Sequence, residues 1–117
     1  MSSPVVQFQI VSKAPDDTVR FYSGLFGWRV NTDNQLGYRQ INTGSEQGIQ
    51  GGIWPAPPQT QNFVQLFVAV DSVAESVKKA EGLGAKVIIP ATTLPGGDEM
   101  AVMLDPQGMS FALTKRA

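Results

Sequence analysis

Histidine and cysteine are both absent from this 117-residue chain. Without cysteine there is no disulfide, no thiolate metal site and no cysteine nucleophile. Without histidine or cysteine, acid–base chemistry falls to Asp, Glu, Lys or Tyr. Charge of one sign is missing too: nine Lys and Arg stand against ten Asp and Glu, a net charge of −1. No basic run marks a nucleic-acid surface. No apolar run approaches the ~20 residues that a membrane-spanning helix needs. The start, Met1-Ser2-Ser3-Pro4, lacks the basic and apolar regions of a signal peptide. These absences lead to the expectation of a cytoplasmic protein with no nucleic-acid or membrane partner. What is present suffices for folding, because 42% of residues are hydrophobic and 16% charged. A single domain with a real core is expected.

The order of patterns along the chain repeats. Val6, Phe8 and Ile10 alternate with Gln7 and Gln9, the period-two pattern of a strand from Val5 to Val11. Pro15-Asp16-Asp17 opens a helix with an Asp as N-cap, and Val19, Tyr22 and Phe26, joined by Phe21 and Leu25, form its apolar stripe. Gly27 ends it and Trp28-Arg29-Val30 begins a strand. Tyr38–Asn42 and Ile49–Trp54 read as two more strands. Pro55–Asn62 is a proline-rich linker. After it come a strand from Phe63 to Val70, a helix opened by the capping box Ser72-Val73-Ala74-Glu75, and a Gly82–Gly84 stop. Strands at Lys86–Ile89, Met100–Leu104 and Met109–Thr114 complete the set, the last two joined by the turn Asp105-Pro106-Gln107-Gly108. The order is β-α-β-β-β twice, an α+β chain with modules at about residues 5–54 and 63–114 and a linker at 55–62. Two such sheets, each with a helix on one face, can close a cup with their free faces.

Four motifs in this order carry a resemblance: Phe-Tyr…Phe-Gly-Trp at residues 21–28, the Val-Asp turn at 70–71, Gly-Ala-Lys-Val at 84–87 and Asp-Pro-Gln-Gly…Phe-Ala-Leu at 105–113. From Val5 to Leu113 the chain resembles the glyoxalase, bleomycin-resistance and extradiol-dioxygenase superfamily. The resemblance implies the vicinal-oxygen-chelate fold of paired βαβββ modules. It implies no single function, since the superfamily holds metal-dependent lyases, isomerases, epimerases and dioxygenases beside metal-free binding proteins. It also implies that the ligand positions of catalytic members fall here on Gln7, Gln65 and Ala112, and at or near Gly52. None of these supplies an imidazole or a carboxylate, so no metal and no cofactor is expected.

Strand alternation alone places Gln7 and Gln9 on the cup face if Val6, Phe8 and Ile10 face the helix. With Leu66 and Val68 turned to the helix, Phe63, Gln65 and Phe67 face the cup. With Ile49 and Ile53 turned inward, Gln50, Gly52 and Trp54 do, and Phe111 and Leu113 inward leave Ser110 and Ala112 there. The candidate ligand-binding residues are therefore Gln7, Gln9, Tyr38, Gln40, Gln50, Trp54, Gln65 and Phe67. Amides can read a polar ligand, be solvated by water or bond one another. Trp54 and Phe67 can form an aromatic wall or simply pack, while Trp28 reads as core. Asp98 and Glu99, in a Gly96-Gly97 loop, are the candidate acids, though they read more readily as solvated loop carboxylates. The leading expectation is a metal-independent binder of a small molecule, working as a homodimer. A bleomycin-type cationic ligand fits poorly, because the expected cup has no acidic wall. An enzyme using non-standard residues and a scaffold with a vestigial pocket are the alternatives.

Overall fold

The structure, a computed structural model, describes residues 3–117. Met1 and Ser2, part of the start read above for a signal peptide, lie outside the described residues. The chain divides into two compact units, Gln7–Gln65 and Leu66–Ala117, the latter also taking the lead-in up to Val6. Its elements run β1 (Val5–Ser12), α1 (Pro15–Phe26), β2 (Arg29–Asn31), β3 (Arg39–Asn42) and β4 (Gln50–Pro55). They continue with β5 (Phe63–Ala69), α2 (Val73–Gly82), β6 (Lys86–Thr93), β7 (Glu99–Leu104) and β8 (Ser110–Lys115). The lateral order is β2-β3-β4-β1 in the first module and β6-β7-β8-β5 in the second. In each, the first strand lies parallel to the fourth, and the remaining neighbours are antiparallel. The repeated β-α-β-β-β order is thus also a repeated topology.

The two helices start differently. Ser72 caps α2 as its sequence box requires, its hydroxyl accepting from the Glu75 amide at 3.2 Å, which contributes about 1 kcal/mol. The first helix corrects the expected Asp cap: its N-cap is Ala14, with no side-chain bond. Pro15 at the first helical position fixes φ, which puts Asp16 and Asp17 inside the first turn, where they face the positive end of the helix dipole. Ser12 organises the entry instead, accepting from the Ala14 amide at 3.0 Å and bonding Thr18 Oγ1 at 2.7 Å. At the other end Gly27 takes φ +72°, and its N–H reaches the Ser23 carbonyl.

Helix burial follows the same contrast. Val73 and Val77 of α2 are buried with Ala101, Met103 and Leu113 beneath them, the core of the second unit. No residue of α1 is buried, and Phe21, Leu25 and Phe26 are each more than half exposed, so the expected stripe is only half covered. What holds α1 is an aromatic group: Tyr22 stacks on Trp28 at 5.3 Å, and Phe8 meets the same indole at 5.7 Å. Arg39 adds an ion pair to Asp16 at 2.9 Å. Trp28 is half-buried rather than core.

Three strand readings need correction. Ile49 lies outside β4 and is exposed, whereas Ile53 is fully buried as expected. Leu66 is also exposed, because α2 packs on β6, β7 and β8 and not on β5. Finally, β6 runs through Pro90 to Thr93, with register shifts on either side of Ile89. Proline is tolerated there because β6 is the outer strand of its module and needs no ladder donor on its free side.

Candidate functional site

In the first module, cross-strand register decides which side chains share a face, since paired residues point the same way. Gln9 pairs with Gly52, Gly52 with Gln40, and Gln40 with Asn31. One step along, Gln7 pairs with Gln50 and Arg29 with Asn42. The opposite face carries Phe8, Ile41 and Ile53, together with Arg39, whose partner Asp16 is on α1. Gln7, Gln9, Gln40, Gln50 and Trp54 therefore stand together on the face away from α1.

Tyr38 is the centre of this face. Its hydroxyl donates to Gln9 Oε1 at 2.6 Å, and its ring lies 5.7 Å from that of Trp54. The ring lies directly over Gly52, where any Cβ would collide with it. Burial pushes the Tyr38 hydroxyl above its ordinary value near 10, so it is a neutral hydrogen-bond group throughout the physiological range. Asn34 holds the residue in place by its backbone, accepting from the Tyr38 amide at 2.8 Å and donating to its carbonyl at 2.8 Å. Gly51 serves the other face in the same way, since a Cβ there would fall 2.6 Å from the Phe8 ring.

The amides are not equivalent. Gln50 is committed to its own hairpin: Oε1 accepts from the Thr43 amide and hydroxyl, and Nε2 donates to the Ser45 carbonyl. Gln9 has its oxygen engaged by Tyr38. Gln7 is half-buried and Gln40 exposed. The sequence reading missed Arg29, Asn31 and Asn42 on this face, and Asn34 behind Tyr38. Alternation from Gln40 would have reached Asn42; the short β2 and the turn-rich 31–37 segment hid the others.

The second module presents a different surface. Phe67 pairs with Ala112 and Ala112 with Val102. These three are buried together, with Met100 packed against them. Phe67 is thus part of an apolar cluster, and Trp54 packs on Tyr38 in the other unit. Gln65 is buried and engaged within the protein. Of the candidate acids, the Asp98 carboxylate accepts from the Ala117 amide at 2.9 Å, and Glu99 opens β7. Among the described residues, cavities elsewhere include one of about 530 Å³ beside Ala69, Val70 and Thr114 and one of about 240 Å³ between α1 and the start of β5.

The repeated topology and the paired β-α-β-β-β units match a known family across almost the whole chain: residues 7–114 fit the glyoxalase-like domain. The chain belongs to the glyoxalase-like domain family. The solved structures agree on the fold, which is that of the vicinal-oxygen-chelate proteins. A hypothetical protein from Bacillus halodurans, BH1468, superposes with a TM-score of 0.71 at 12% identity, covering 100% of this chain and 96% of its own. The methylmalonyl-CoA epimerase of Streptomyces coelicolor, solved with 2-nitronate-propionyl-CoA, gives 0.64 at 15% identity, covering 100% and 99%. In sequence, this glyoxalase-like domain is 27% identical over 112 residues to CFP32 of Mycobacterium bovis, a protein provisionally named a glyoxylase. That match covers 93% of the chain but only 42% of CFP32, so the domain spans about two-fifths of its curated relative.

The resemblance implies metal ligands in catalytic members at positions that include Ala112 and one at or near Gly52. Ala112 is wholly buried among Phe67, Val102 and Met100, an environment that disfavours a dication. At Gly52 the space above the backbone holds the Tyr38 ring. Among the described residues, no group of three His, Cys, Asp or Glu side chains could share an ion. The donor set does not fit a metal.

Proposed function

We propose that this glyoxalase-like domain binds a small molecule without a metal, on the amide-and-aromatic face of its first module, and that it works as a homodimer. The observation that carries the reading is Tyr38, bonded to Gln9 and lying over Gly52, at or near which the resemblance implies a metal ligand in catalytic members. A flat group can rest on Trp54, which is 38% exposed, while amides beside it meet polar atoms. Pairing is supported by the uncovered apolar side chains of α1. A cationic, bleomycin-type ligand is disfavoured, because Arg29 is the only charged residue among the strand positions of this face. Protein treated with chelator should keep both its melting temperature and a dimeric mass by light scattering. A fall in melting temperature that added transition metal reverses would overturn metal independence, and a monomeric mass at tens of micromolar would overturn the pairing.

A further inference from the structure

The hydrogen bonds made within the first-module face leave it unbalanced. Asn31 Oδ1 accepts from the Asp33 amide at 2.7 Å, and Asn42 Oδ1 accepts from the Gly44 amide at 2.7 Å. A backbone N–H can only donate, so both exposed carboxamides have the oxygen held to the chain's own backbone two residues on and the NH2 left over. Beside them Gln40 and Arg29 make no ion pair or side-chain hydrogen bond among the described residues. The register sets these four as a block, Arg29 beside Asn42 and Asn31 beside Gln40. Strand neighbours lie about 5 Å apart and alternate residues about 7 Å apart, so one oxyanion can meet donors from several of them. Two acceptors are withdrawn, two amide donors and a guanidinium are presented, and no carboxylate stands among the strand positions.

We infer that the ligand carries an oxyanion, a carboxylate or a phosphate, received by Arg29, Asn31, Gln40 and Asn42. The same ligand places a flat ring on Trp54, about 12 Å away across two strands and two residues. The inference rests on the binding face proposed above and deepens it by naming the charge and the acceptor chemistry. Charge-assisted bonds to an oxyanion are shorter and stronger than neutral ones, and Arg matches a carboxylate or phosphate with two parallel donors.

Three probes of one shape test it: phenylhexanoate, phenylhexanamide and phenylhexylamine, titrated into the full chain and followed by the side-chain NH2 signals of Asn31, Gln40 and Asn42 in NMR. The carboxylate should shift these signals and bind about tenfold tighter than the neutral amide, a gap of about 1.4 kcal/mol. Arg29→Gln should erase that gap while the backbone spectrum stays folded, and raised salt should narrow it. Equal binding of carboxylate and amide, or tighter binding of the amine, overturns the oxyanion and leaves a ligand-binding face standing. If none of the three moves these signals, the oxyanion and the face both fall.

Discussion

Placing a carboxylate at residue 112, where the resemblance implies a metal ligand in catalytic members, should damage this protein rather than equip it. Ala112 is fully buried between Phe67 and Val102, so Ala112→Glu puts an unpaired charge and extra volume into an apolar cluster. An uncompensated buried charge of this kind costs about 3–5 kcal/mol, a large part of the stability of a small domain. Denaturant unfolding reads the loss directly. Burial should raise the new carboxyl's pKa in the folded state above the ordinary value near 4.3. The unfolded chain then gives up its proton first, so stability falls as pH rises from about 4 and levels once the folded form also ionises. Added Zn, Ni or Mn should not restore it. A variant of native stability, or one rescued by metal, would contradict the reading of this cluster.

Gly52→Val should cost about 2–3 kcal/mol by forcing Tyr38 off the sheet. Valine suits a strand better than glycine does, so backbone propensity works against the expected loss and the clash alone must produce it. Wild-type protein should show one tyrosine ionising above the ordinary range in an absorbance titration, and the variant should not. The sign of the pH effect is fixed by that displacement. Because the folded hydroxyl holds its proton more tightly than the unfolded one, wild-type stability is intact below about pH 10 and declines above it. The variant should lose that part of the decline. Full stability with an unchanged tyrosine titration would mean that the ring does not depend on the glycine.

Much of this arrangement was legible in the strands. Gln7, Gln9, Gln50 and Trp54 were assigned to one face by period-two alternation, and the β1–β4 register puts them there. Ser72 and Gly27 were legible because a cap and a left-handed stop are local events with few residue solutions. Three kinds of information were not local. The exposure of Phe21 and Leu25 depends on what covers α1, which an amphipathic stripe does not specify. The bond from Tyr38 to Gln9 joins residues 29 apart, and the glycine that admits it sits on a third strand. Gln50 looked like its neighbours in the alternation, yet its hairpin claims both ends of its amide. Alternation therefore overstates the free polar groups, and only the hydrogen-bond partners separate Gln50, committed at both ends, from Gln40 and from the NH2 groups that Asn31 and Asn42 keep.

The most direct measurement is the fluorescence of Trp54 during a small-molecule screen of chelator-treated protein. The account predicts that a ligand changes the indole emission in the absence of metal. The change should persist in Trp28→Phe and disappear in Trp54→Phe, because Trp28 is stacked on Tyr22 on the helix side of the sheet while Trp54 lies beside Tyr38 on the other. A ligand that binds only after metal is restored, or whose signal survives Trp54→Phe and is lost in Trp28→Phe, would contradict it.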